Sequence, residues 1–158
     1  MKEKGARLAG YYDVDSAAAK EAAEFTKTEI FGSLCHLAEN SEIIFITTPD
    51  SYIIPVWNEL KKLSLKDQII CHCSGALSSD SFSGSEHMEV SCCSIRPMLP
   101  FSNRFSSFEQ LNNAFFTVEG QEHAVKVISE LFRSFGNEIC CIDGAKKAKY
   151  HAAASILS

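Results

Sequence analysis

Three short polar segments, each closing an apolar run, hold residues suited to handling a ligand: Tyr12-Asp13-Val14-Asp15, Thr47-Thr48-Pro49-Asp50 and His72-Cys73-Ser74-Gly75. A carboxylate such as Asp13 accepts hydrogen bonds from ribose hydroxyls, and its charge disfavours an added phosphate. Asp13 and Asp15 are equally good helix caps, so this segment reads either way. Thr47, Thr48 and Pro49 leave a backbone against which a flat ligand can lie, although the same residues suit a plain strand-to-helix turn. Gly75 permits close backbone approach and Ser74 adds a hydroxyl. His72 falls within its apolar run and reads as a satisfied interior group.

The seven cysteines, Cys35, Cys71, Cys73, Cys92, Cys93, Cys140 and Cys141, raise a metal question. Structural zinc sites use wider pair spacings than Cys71-His72-Cys73 offers. Adjacent cysteines on a strand, as in Cys92-Cys93 and Cys140-Cys141, point to opposite faces and chelate one ion poorly. No metal site is expected. All but Cys35 lie in apolar runs and read as small buried hydrophobes. No apolar stretch follows Met1-Lys2-Glu3-Lys4-Gly5, so the expected compartment is the reducing cytoplasm.

The elements that position these residues follow from patterning. Six apolar runs, at 8–12, 43–47, 69–73, 92–95, 115–118 and 139–142, are continuous more than alternating, the habit of strands buried on both faces of a parallel sheet. Helix-period stretches lie between them. Residues 16–25 are alanine-rich, with Asp15 or Ser16 to cap them. Leu34, Leu37 and Ala38 form a short stripe. Ile53, Val56, Trp57 and Leu60 form a longer one after Asp50, a candidate cap, with Pro55 in the early part. Ala124, Val127, Ile128, Leu131 and Phe135 make another, with Gly136 at the C-terminal cap. Residues 145–157 read as a final helix. The serine- and glycine-rich stretch 74–85 reads as a loop with a short helix. Pro97 and Pro100 predict extended chain around Met98-Leu99.

Alternation of this kind predicts an α/β, doubly wound parallel sheet. Its 158 residues, 46% apolar and 22% charged, suit one ordinary domain. With 15 basic against 20 acidic residues, net −5, nothing favours nucleic acid or an anionic membrane. No run of about 18 apolar residues predicts a membrane span. In such sheets ligands bind beyond the carboxyl ends of the strands. Asp13, Thr47, Thr48, Pro49, Ser74 and Gly75 are therefore the candidate cofactor contacts, and Asp13 shifts the preference from NADP towards NAD. No G-x-G-x-x-G occurs, so the usual pyrophosphate anchor is missing from the sequence and binding is expected to be weak.

The segments CHCSGALSSDSFSG, SIRPMLPFSN, FFTVEGQEHAVKVISELFRSFGNEI and AKKAKYHAAAS together resemble a little-characterised family of bacterial Rossmann-like proteins. That family is similar to pyrroline-5-carboxylate reductases and other NAD(P)-dependent oxidoreductases. The resemblance implies a small carbonyl or imine substrate and a homodimeric parent. It implies that residues 1–143 are an incomplete dinucleotide-binding domain and 144–158 the start of a helical C-terminal domain, a fragment truncated at both ends. Residues 2–5 would be the tail of a first helix. The sheet would lack its first strand, leaving a gap beside 8–12 and a chain of marginal stability. The resemblance places Lys147 and His151 at the hinge, Lys147 to polarise a C=O or C=N group and His151 to donate a proton; Tyr150 and His151 could equally just pack that joint. Two departures stand out: Arg96 where relatives generally have histidine, and Asp13-Val14 where many have Ser-Arg. With the absent glycine loop they leave a second expectation open, a non-catalytic remnant or pseudoenzyme with no cofactor binding.

Overall fold

The computed structural model describes residues 6–99, 110–111 and 114–156. In chain order the elements are β1 (Gly10–Tyr11), α1 (Ser16–Thr26), β2 (Glu29–Ile30), α2 (Leu34–Glu39), β3 (Ile43–Ile46), α3 (Asp50–Leu60), β4 (Gln68–His72), β5 (Val90–Pro97), β6 (Phe115–Gly120), α4 (Glu122–Ser134), β7 (Glu138–Cys141) and α5 (Lys147–Ile156). Single 3-10 turns fall at Ser79–Ser81, Ser85–His87 and Gly144–Lys146.

The strands form two sheets. β3-β4-β5-β6-β7 are contiguous, while β1 and β2 pair only with each other, in parallel. The expected discontinuity between the 8–12 run and the rest of the sheet is therefore present among the described residues. β3 is left as an edge strand of continuous apolar sequence. β2 carries no apolar run, only Glu29 and Ile30, and was not predicted; its amide ladder to Gly10 and Tyr11 creates it.

Strand direction departs from the all-parallel expectation at one place. β3, β4 and β5 are parallel, as are β6 and β7, but β5 and β6 are antiparallel. A parallel return needs a crossover to the opposite end of the sheet. Here the chain re-enters at the end it left, where the Met98 amide donates to the Phe115 carbonyl at 2.8 Å. β5 ends at Pro97, and Met98 and Leu99, expected to be extended, form a bend instead. Pro100, residues 2–5 and Leu157 lie outside the described residues.

Alternation along the buried strands feeds two cores. Ile44, Ile46, Ile70 and Cys92 face one side, where Ile53, Trp57 and Leu60 of α3 and Phe82 cover them. Ile69, Cys71, Cys93, Ile95, Phe116 and Val118 face the other, under Ala124 and Ile128 of α4. Helices on both faces make the sheet doubly wound, and each fully buried large side chain contributes about 1.5–3 kcal/mol. Trp57, wholly buried, satisfies its indole N–H on the Ser83 carbonyl at 3.1 Å and stacks edge-on to Phe82. Cys140 and Cys141 are exposed, against expectation, because β7 is an edge strand with a poorly covered face.

Helix boundaries follow local chemistry. Asp15 caps α1, its Oδ1 accepting from the Ala17 amide at 2.9 Å. Gly136, at φ +93°, closes the turn after α4 and donates to the Arg133 carbonyl. Asp50 is not a cap: Pro49 holds that position, and Asp50 is the first helical residue. No helix among the described residues is long and apolar enough to cross a membrane.

Candidate functional site at the carboxyl strand ends

Register places the ends of the parallel strands side by side, with Ile46 opposite His72 and His72 opposite Ser94. Beyond β3, Thr47 and Pro49 are exposed and Thr48 is half-buried. Thr48 Oγ1 is itself buried and has no hydrogen-bond partner among the described residues. Beyond β4, Ser74 ties the next turn together. Its Oγ donates to Asp50 Oδ2 at 2.8 Å and accepts the Ala76 and Leu77 amides at 3.1 and 2.9 Å. The structure thus joins two expected segments, Thr47-Thr48-Pro49-Asp50 and His72-Cys73-Ser74-Gly75, through one hydrogen bond.

At Gly75 side chains from two other elements converge. A β-carbon there would lie 2.8 Å from Arg96 Nε and 2.8 Å from His151 Nδ1. Only a residue without a side chain lets the guanidinium from β5 and the imidazole from α5 close over this turn. Burial lowers the Arg96 pKa, and the Asp50 carboxylate opposes that shift.

Beneath this surface a polar row crosses three strands. Cross-strand partners share a face, so His72, Ser94 and Glu119 stand abreast on β4, β5 and β6. Lys147, at the start of α5, closes over the row and donates to Ser94 Oγ and, at 3.1 Å, to Glu119 Oε1. The Glu119 carboxylate also accepts the Ser79 amide at 2.9 Å and the Ser79 hydroxyl at 2.6 Å. Lys147 is only 3% exposed and Glu119 5%. Burial pulls the Lys147 pKa down, and the Glu119 charge pushes back. His72, fully buried, accepts the Ser74 amide at Nδ1, so its proton sits on Nε2, which faces the Ser78 carbonyl at 3.2 Å. Burial, then the Lys147 charge, lowers its pKa to about 4. It is the interior group expected.

Lys147 and His151 are four residues apart on one face of α5. The ion pair that seats Lys147 therefore also sets the height at which His151 meets Gly75. Asp13 stands apart. It is exposed on the turn after β1, in the separate sheet, and its Oδ1 accepts the Asp15 amide at 2.9 Å. Sequence reasoning missed Ser94, Glu119 and the turn to Asp50. The one available signal was Glu119 itself, a carboxylate inside an apolar strand run, where a buried cation is required.

A cleft of about 610 Å³ opens elsewhere, lined by Ser79, Phe82, Gln121, Asp143 and Ala145 with Glu119 in its wall. None of the expected cofactor or catalytic residues lines it. Among the described residues no group of three or more His, Cys, Asp or Glu is arranged around a common metal position.

Residues 114–158 match a family described as a domain of unknown function, DUF2520. No curated protein matches the sequence. Solved structures do. A Thermotoga maritima protein is 27% identical, with a TM-score of 0.70 over 93% of this chain and 54% of its own. The prephenate dehydrogenase of Aquifex aeolicus is 11% identical, with a TM-score of 0.72 over 95% and 56%. The 1-pyrroline-5-carboxylate reductase of Streptococcus pyogenes is 16% identical, with a TM-score of 0.64 over 90% and 51%. The chain spans about half the length of these structures. It carries the Rossmann-like fold of this dehydrogenase and this reductase, and its C-terminal segment matches a family of unknown function.

Proposed function

We propose that this chain forms the nicotinamide-facing part of an NAD(P)-dependent oxidoreductase for a small carbonyl or imine compound. The observation that carries this reading is the convergence of Gly75, Arg96 and His151 at the carboxyl ends of β4 and β5, beside the end of β3 that leads into Thr48, the ligand side of an open α/β sheet.

The residues present fit one end of the cofactor. Thr48 Oγ1 is a buried hydroxyl in need of a partner, and Thr47 and Pro49 leave an open polar rim beside it. The fit does not extend to the pyrophosphate: no G-x-G-x-x-G is present, and the first amides of α1 are capped by Asp15. When bound, the nicotinamide supplies hydride transfer. Within the chain, Thr47, Thr48, Pro49, Ser74 and Gly75 form the floor. His151 faces the reacting group and delivers a proton to the oxygen or nitrogen that receives it. Burial of Lys147 against Glu119 and Ser94 favours a positioning role over the direct polarisation expected from sequence. Asp13 supports NAD over NADP through its charge.

Saturation-transfer NMR of the chain with NAD and with NADP tests this. Transfer strongest at the nicotinamide and its ribose, with millimolar affinity, is expected, reduced in Thr48→Val and somewhat stronger for NAD. No transfer from either dinucleotide would support the pseudoenzyme reading instead.

A further inference from the structure

Arg96 is a permanent charge placed where the proposed proton donor is. Its Nε and the Nδ1 of His151 each lie 2.8 Å from one point above Gly75, so the two nitrogens are no farther apart than twice that distance. The guanidinium is half-buried beside the flat backbone of Gly75, and the Asp50 carboxylate acts on it electrostatically. Asp50 already accepts the Ser74 hydroxyl, leaving it less able to occupy the five-donor fork of the arginine alone. A guanidinium pairs best with a planar two-oxygen anion.

We propose that Arg96 binds a carboxylate of the substrate, attached directly to the carbon of the reacting C=O or C=N group: the substrate class is a 2-oxo or 2-imino acid. The spacing sets this. A group held by Arg96 and an atom protonated by His151 must be near neighbours, as the carboxylate and the adjacent oxo or imino atom are. A carboxylate several bonds away would leave one of the two residues unused. The reduction balances: a hydride reaches the oxo or imino carbon, the π bond opens, and the proton on the oxygen or nitrogen comes from His151, which regains it from solvent. The carboxylate is unchanged throughout. This inference rests on the oxidoreductase reading for its hydride, not for its anion.

The test uses the whole chain, isotope-labelled and without dinucleotide, titrated with pyruvate, with hydroxyacetone as a neutral carbonyl of similar size, and with inorganic phosphate. Pyruvate is expected to shift the Arg96 Nε–H and Gly75 amide signals saturably, roughly 10- to 100-fold more tightly than hydroxyacetone. Arg96→Met abolishes the difference, and Arg96→Lys, which keeps charge but not the fork, recovers only part of it. A Gly75 shift identical for pyruvate and hydroxyacetone overturns the proposal, and so does phosphate binding at this site more tightly than pyruvate. An unchanged backbone spectrum confirms that each variant is folded. Dinucleotide binding is read separately: pyruvate at Arg96 without NAD transfer sinks the oxidoreductase reading alone, and NAD transfer without pyruvate sinks this one alone.

Discussion

Lys147 and Glu119 form an ion pair, Nζ to Oε1 at 3.1 Å, with both side chains at most 5% exposed. The pair joins β6 to α5 and, through Ser79, to the turn after β4. It is the joint on which the placement of His151 depends. Replacing one partner strands the other charge in a dry interior, at a cost of about 3–5 kcal/mol. Lys147→Met is expected to lower unfolding free energy by that order in urea titrations. Adding Glu119→Gln to it should recover part of the loss, since a neutral amide needs no counter-ion. Strictly additive losses would show the two residues to be uncoupled.

His72 gives the fold an acid sensitivity of predictable sign. Its folded pKa, lowered to about 4 by burial and by Lys147, lies below the ordinary 6.5. Between these values the unfolded chain takes up a proton that the folded chain refuses. Stability is therefore fully present above about pH 6.5 and falls as pH drops towards 4, by about 3 kcal/mol for this residue. Unfolding measured from pH 7.5 to 4 should be steeper in the parent than in His72→Asn, whose side-chain oxygen still accepts the Ser74 amide. Parallel curves would contradict the assignment.

Two glycines should respond to the same substitution with very different losses. Gly120 has φ +135°, and a β-carbon there would lie 2.6 Å from the Cys92 carbonyl oxygen and the Cys93 Cα. Backbone cannot yield cheaply, so Gly120→Ala should cost about 3 kcal/mol or more, or give insoluble protein.

At Gly75 the obstructing atoms are the movable ends of Arg96 and His151. Gly75→Ala should cost about 1 kcal/mol or less of stability while displacing both side chains. The expected readout is a near-native melting curve with altered Arg96 Nε–H and His151 ring signals. A melting loss as large as that of Gly120→Ala would show that the Gly75 turn is not adjustable.

Much of the architecture was legible because burial on two faces writes itself into strand sequence. Residues 43–47, 69–73 and 115–118 are apolar without alternation, and all three are strands of the doubly wound sheet. β2 was illegible because two residues, one of them Glu29, carry no pattern. The antiparallel turn from β5 to β6 was illegible because direction depends on where the chain re-enters, not on side-chain type. At the site, the loops were readable from their turn chemistry, while the Ser94–Glu119–Lys147 row was not: three residues from separate strands and a helix meet only through register. Cys140 and Cys141 misled for a related reason, since an apolar run does not reveal that its strand lies at an edge.

On the proposed function, the carboxyl ends of β3, β4 and β5 form the cofactor surface. Mapping amide shifts across the labelled chain during NAD titration tests it most directly. The largest changes are expected on Thr47, Thr48, Ser74 and Gly75, with Gly120, Gln121 and Ala145 little affected. Changes concentrated on that second set, in the separate cleft beside Glu119, would contradict it.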